Sequence, residues 1–318
     1  MSLIDIDQFD QDSLLIPALA NDLNAGRLAL ILGAGVSEGL GLPDWGGLLD
    51  RLFASKEGAV RPAGLTPAEE ADVFRCQYCG GDNMALLSAV RDALYLNFNL
   101  DFEQMRQNVG LVSIGALVMA SRRGSVSQVV TFNYDDVLER YLAYYGFSSC
   151  SVKDEQHWAS NADVTVYHPH GFLPSPPSIS FSKDIVFDQL AYDRIAGDET
   201  KIWHQVVLSI LRSHVCLFIG LSGKDQNLRS LLARALDTHA PTGQSSFWGV
   251  VFMDSAENPM AGFWQDRGVY CKIVSDYSKA LPKFLFSICQ EAARLSDSQS
   301  SKIVTRRSAD DFYRHNAR

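Results

Sequence analysis

The sequence predicts an α/β fold: a doubly wound parallel sheet of about six strands, with a block of helices inserted after the first strand. Three observations predict it. Short apolar, β-branched runs recur along the chain, helical patterning fills most intervals between them, and the first run ends in a glycine turn. In order, the expected strands are Leu28–Leu32, Gln128–Phe132, Val164–His168, Val215–Ile219, Trp248–Phe252 and Val269–Ile273. Each is bounded by turn formers or helical pattern and is too short for a buried helix. Helices are expected between them, at Asp136–Tyr145, Thr200–Arg212 and Asp225–His239. Such alternation implies a parallel sheet covered on both faces, a Rossmann-like arrangement.

Between Trp45 and Ser125 the rhythm breaks. No strand is evident there, only helical patterning around Pro67–Cys76, Met84–Leu96 and Phe102–Ala120. We read this as a helical insertion, about residues 46–124, forming a smaller subdomain beside the sheet and one wall of a site. Residues 1–295 then make one domain, with Leu173–Pro177 as a proline-rich loop. Residues 296–318 form a polar tail in which Ser296–Ser301 precedes Lys302, Arg306, Arg307, Arg314 and Arg318. That tail reads either as a frayed end or as a basic docking segment.

Bulk composition narrows the class. Hydrophobic residues make up 47% and charged residues 20% of the 318 positions, the balance of an ordinary globular core. A net charge of −9 argues against sequence-independent duplex binding, which needs clustered cations, so no direct nucleic-acid contact is expected. Cys76, Cys79, Cys150, Cys216, Cys271 and Cys289 are scattered, several within apolar runs, as buried free thiols are in a reducing compartment. Met1 to Asp12 carries four aspartates and no basic residue, unlike a secretory leader. The longest apolar runs fall far short of a membrane span. A cytoplasmic protein is expected by default.

The chemistry gathers at the ends of the expected strands. The first runs into Gly33-Ala34-Gly35-Val36-Ser37. Glycines there let the chain turn sharply and let a pyrophosphate approach the backbone, and a helix N-terminus following them would add free N–H groups. A tight β–α turn with no ligand is the plainer account. Gly41-Leu42-Pro43-Asp44-Trp45 follows. At the second strand's end stands Thr131-Phe132-Asn133-Tyr134-Asp135, whose Asn133 and Asp135 suit the grip of a ligand. Asp135 could equally cap the helix beginning at Asp136. The third strand ends in Val166-Tyr167-His168-Pro169-His170-Gly171. A histidine there suits a general base, since its ordinary pKa lies near neutrality. His168 rivals His170, lying on the same side of an extended chain.

Together these motifs resemble the sirtuin family. Gly33, Ala34, Gly35, Ser37, Gly41, Pro43 and Asp44 match its first motif in register, with Trp45 in the aromatic place and Gly46 where the family has arginine. Thr131 to Asp135 resembles its Thr-Gln-Asn-Ile-Asp motif, and His170-Gly171 its catalytic His-Gly pair. Gly220-Leu221-Ser222, after the fourth expected strand, resembles its Gly-Thr-Ser. The extension through Asp225 and Arg229, with Ala191-Tyr192-Asp193-Arg194 earlier, is similar to a divergent bacterial sirtuin-like branch. The paired Cys-x-x-Cys units of the deacylating enzymes' zinc module are missing. Cys76-Gln77-Tyr78-Cys79 is a lone pair, read as plain thiols, so no metal is expected.

The resemblance implies NAD as substrate, bound by Gly33, Ala34, Gly35, Ser37, Pro43, Asp44, Asp135, Gly220 and Ser222, with Asn133 and His170 catalytic. Asn133 would position ribose and water, His170 would engage the ribose hydroxyls or take the water's proton, and Asp135 would steady the nicotinamide. Without an acyl-lysine groove, the implied activity is NAD hydrolysis to nicotinamide and ADP-ribose. Members of the branch serve as gated effectors of anti-phage defence. That implies a homo-oligomer or a partner, such as a DNA-translocating ATPase. A non-catalytic NAD or ADP-ribose sensor is the alternative, with a deacylase or ADP-ribosyltransferase behind it.

Overall fold

The structure is a computed structural model and describes residues 11–98, 101–120, 125–153, 161–176, 181–196, 202–239 and 247–315. For residues 196, 202, 204, 237–239 and 298–315 it describes the backbone alone. The acidic start before residue 11, Pro177, and the basic side chains from Lys302 onward therefore lie outside the described residues.

In chain order, α1 (Asp12–Asn24) leads into β1 (Leu28–Leu32). Five helices follow: α2 (Trp45–Ala54), α3 (Pro67–Tyr78), α4 (Asn83–Leu94), α5 (Phe102–Gln107) and α6 (Val109–Met119). Then come β2 (Gln128–Thr131), α7 (Val137–Tyr144), β3 (Ser149–Val152), β4 (Val164–Tyr167), α8 (Gln189–Ala196) and α9 (Ile202–Ser213). The chain continues with β5 (Val215–Ile219), α10 (Gln226–His239), β6 (Gly249–Met253), α11 (Ala261–Gln265), β7 (Val269–Ile273) and α12 (Ala280–His315). The polar stretch from Ser296 thus continues the last helix.

All seven strands are parallel, in the order β3-β4-β2-β1-β5-β6-β7. The strand beyond the expected six is β3, at the edge. Its residues Ser149-Cys150-Ser151 are only half-buried and Val152 alone is buried, so no apolar run announces it. β1 is buried throughout and sits at the centre. Its alternate residues divide between two apolar layers, which is why the strand is apolar at every position. Leu28, Leu30 and Leu32 join the layer under α1, the inserted helices and α12, whereas Ala29 and Ile31 join the layer under α9, α10 and α11.

The insertion is helical as expected, and its sequence sets the breaks. A capping box between Thr66 and Glu69 starts α3, and the Asp82 carboxylate starts α4. Asn108 accepts from Leu111 N–H and so divides the expected Phe102–Ala120 stretch into α5 and α6.

The connection after β1 leads to one side of the sheet and the strand on its other flank is β5. Strand order reverses there, and in such sheets the ligand crevice opens outside the carboxyl ends of the strands at that point.

Candidate active site

The turn after β1 is built around a close meeting of two backbones. Gly33 N–H donates to Ile219 O at 3.0 Å and Gly35 N–H to Gly220 O at 3.2 Å, joining the ends of β1 and β5. A Cβ on Gly33 would lie 2.5 Å from Gly220 O, and one on Gly220, whose φ is +70°, would lie 2.8 Å from Val36 N. Glycine is required at both for that contact. The α-helix expected directly after the turn is absent. Two 3₁₀ turns, Ala34–Val36 and Glu38–Leu40, carry the chain to Gly41, and the first α-helix of this stretch starts at Trp45. Gly41, Asp44 and other turn-forming residues interrupt the pattern too soon for a longer helix.

Asn133 ties this turn to the end of β2. Its Nδ2 donates to Gly33 O at 3.1 Å and to Ser37 Oγ at 3.3 Å. Gly33 O can only accept, which fixes the amide orientation. The Asn133 Oδ1 is left as an acceptor without a partner among the described residues. Ser37, buried, donates in turn to the Asp135 carboxyl, which also accepts from Val137 N–H at 3.1 Å. Asp135 thus holds the first N–H of α7 from the residue before the N-cap, which is Asp136 and makes no side-chain cap bond. Burial pushes its carboxyl up to about 6. A cavity of about 10 Å³ is lined by Ser37, Thr131, Asn133, Asp135 and Glu139 among others. Such a space takes one water and no ribose.

The two histidines take separate places. Pro169 and His170 are the centre of a turn closed by Gly171 N–H to His168 O at 2.9 Å, so the chain is not extended there and the side chains diverge. Gly171 has φ +101°, and a Cβ on it would lie 2.8 Å from Asp184 O, which explains the glycine after His170. His168 is fully buried, with Nδ1 3.2 Å from Asn133 O and Nε2 2.8 Å from Glu139 Oε1. Both ring nitrogens are engaged, one by a backbone carbonyl and one by a carboxyl. His168 thus holds the backbone of Asn133, and Glu139 is in turn held by Ser151 Oγ.

His170 faces the loop after β5. Its Nε2 lies 3.4 Å from Asn227 Nδ2 and 3.6 Å from Asp225 Oδ2. The Phe132 and Tyr192 rings pack on it edgewise, 4.9 Å and 5.7 Å between centroids. Burial holds its pKa below the ordinary histidine value, with Asp225 opposing that shift. The ring is therefore a neutral base at neutral pH. Asn133 and His170 follow the carboxyl ends of the neighbouring parallel strands β2 and β4, and so stand on the same rim of the sheet.

The remaining expected ligand-binding residues lie in the segments that follow β1 and β5. Asp44 is exposed and caps α2 through Gly47 N–H at 2.7 Å; Pro43 beside it is half-buried. Ala34 is half-buried and Gly35 exposed, while exposed Ser222 accepts from Lys224 N–H at 3.3 Å. Gly46, in place of arginine, accepts from Arg61 through its carbonyl, and Arg61 is paired with Asp50 and Glu70. Asn227 and Glu139 were not singled out by the motif reading. Tyr192 and Asp225 stood out only as signature positions, because their contact spans 33 residues of sequence. Among the described residues no group of three His, Cys, Asp or Glu side chains could hold a metal ion, and no helix is long and apolar enough to cross a membrane.

Residues 127–271 match the model of the SIR2-like domain. The match begins just before β2, so it contains Asn133, His170, Gly220 and Ser222 but not the turn after β1. The NAD(+) hydrolase ThsA of Enterococcus faecium is 24% identical over 223 residues, covering 69% of this chain and 42% of that protein. The aligned region thus spans less than half the length of that relative.

Proposed function

We propose that this chain, whose residues 127–271 match the SIR2-like domain, is an NAD hydrolase. NAD lies across the crevice at the ends of β1, β2, β4 and β5, contacted by the Gly33–Ser37 turn and the Gly220–Ser222 loop. The observation that carries this reading is the amide of Asn133. It is locked to Gly33 and Ser37 by its nitrogen and offers a free acceptor at the same rim as His170.

The bond broken is the one from the nicotinamide nitrogen to the ribose, and its electron pair leaves with the ring, which departs neutral. Water adds to the ribose carbon through an oxocarbenium-like state. Asn133 Oδ1 holds the water or a ribose hydroxyl in place, which is a positioning effect. His170 takes the water's proton and passes it to solvent. Asp135, held by Val137 N–H and Ser37, contributes by fixing Ser37 and through it Asn133. Protein deacylation has little support, since neither a zinc cluster nor an acyl-lysine groove is legible in the sequence.

Unrestrained NAD loss would harm a host, so the activity is gated, by self-assembly or by a partner such as a DNA-translocating ATPase in an anti-phage system. The sensor reading draws on one observation, the absence of an arginine at Gly46. Nicotinamide release from NAD, followed on the full chain alone and with the products of neighbouring genes, separates the two. Hydrolysis gives release without any acceptor protein, reduced at least about a hundredfold in Asn133→Ala and His170→Ala. Bound but intact NAD under all these conditions overturns it in favour of the sensor.

A further inference from the structure

Around His170 the structure provides one partner at Nε2 for each protonation state of the ring. In the neutral ring with Nδ1 as the basic nitrogen, Nε2 carries the proton, and the Asn227 amide 3.4 Å away accepts it with its oxygen turned toward the ring. The Asp225 carboxylate, 3.6 Å from Nε2, is too distant for a hydrogen bond but well placed for the charge of an imidazolium. Both residues sit at the start of α10. Nδ1 takes no hydrogen bond among the described residues, and so it is the nitrogen left for a ligand.

Asp225 is itself held firmly. Its Oδ1 accepts from Leu228 N–H at 2.8 Å, and its Oδ2 accepts from Tyr192 Oη at 2.7 Å. Tyr192 is buried, packs edgewise on His170 and stacks on Trp45 at 5.7 Å. Other titratable groups nearby have their own partners. Tyr134 donates to Val186 O, and Asp188 pairs with Arg75 of α3 and caps α8 at Ala191 N–H. Glu139 is engaged by His168 on the other side of the turn.

We propose that Asp225 is the positioning residue of this site: held by Tyr192, it fixes His170 through Nε2 and receives the imidazolium charge when Nδ1 takes a proton. The arrangement follows the logic of a carboxylate behind a catalytic imidazole, with the ring nitrogens in exchanged roles. The assignment of His170 as base rests on the hydrolase reading. The geometry of the pair does not.

The test is an NMR titration of the His170 imidazole in the full chain labelled with carbon-13 histidine, its signal identified through His170→Gln. Asn keeps the α10 cap, so Asp225→Asn removes the charge and little else. Its His170 midpoint moves to lower pH, whereas in Tyr192→Phe, which frees the carboxylate from its phenol, the midpoint moves to higher pH. An unmoved midpoint in Asp225→Asn overturns the proposal. If that variant does not fold, an unmoved midpoint in Tyr192→Phe does so. For nicotinamide release, Asp225→Asn lowers kcat roughly ten- to a hundredfold with KM little changed. The titration needs no NAD. A shifted midpoint in a chain that never cleaves NAD rejects the hydrolase and keeps the pair, and an unshifted midpoint in an active chain does the reverse.

Discussion

Replacing His168 by alanine leaves Glu139 buried with Ser151 Oγ as its remaining side-chain partner and removes the donor on Asn133 O. Breaking a buried pair from one side costs about 3–5 kcal/mol. His168→Ala should therefore lower the denaturation midpoint strongly, while His170→Ala, whose ring makes only long polar contacts, should keep its fold and lose turnover. Equal stability losses in the two variants, read by urea denaturation, would remove the division of labour. Asp135 gives a second signature. Its ordinary carboxyl pKa of 3.8 rises to about 6 in the fold, so over that interval the unfolded chain ionises first and stability falls as pH rises. The loss amounts to roughly 3 kcal/mol above pH 6. Asp135→Asn keeps an acceptor for Val137 N–H and removes that loss. It should match the wild type near pH 4 and exceed it in melting temperature near pH 7; a gap independent of pH would refute the assignment. At this scale the sequence showed which residue types gather at the strand ends. It did not show that His168 and His170 part company, because that follows from a turn whose closing bond lies in the backbone.

Among the elements, the contact between the turn after β1 and the loop after β5 holds the rim together. Gly220→Ala would combine a left-handed φ of +70° with a Cβ 2.8 Å from Val36 N and 3.0 Å from Gly33 O, all backbone atoms that cannot give way cheaply. A loss of at least about 2 kcal/mol follows. Thermal unfolding of Gly220→Ala should show a marked drop in midpoint, with Gly26→Ala as the comparison, since Gly26 shares the positive φ but its Cβ would meet nothing. Similar drops in the two would mean that φ alone matters and the loop contact does not. Six strands were legible as short apolar or β-branched runs, of which β1 and β6 are buried at every position while β4 and β7 alternate. β3 was not, since three of its four residues are half-buried at a sheet edge. The glycine turn was legible too, although the helix expected after it proved to be two 3₁₀ turns. Glycine reports that the backbone must turn or approach something, and here the something is another loop.

In the molecule as a whole, the sheet supplies the rim and the inserted helices close against the segment that carries Tyr192. Arg75 of α3 pairs with Asp188, and Trp45 at the start of α2 stacks on Tyr192, so the helical layer reaches His170 through two contacts. The parallel sheet and the helical insertion could be read from pattern; these long-range contacts could not, because their partners are separated by more than a hundred residues. The central claim is that water attacks the ribose at this rim. It is tested most directly by incubating the full chain, with its gene neighbours' products, with NAD in water enriched in heavy oxygen and weighing the products. The account predicts nicotinamide together with ADP-ribose carrying one heavy oxygen, in wild type and not in Asn133→Ala. Unlabelled or cyclised product, or NAD recovered intact, would contradict it.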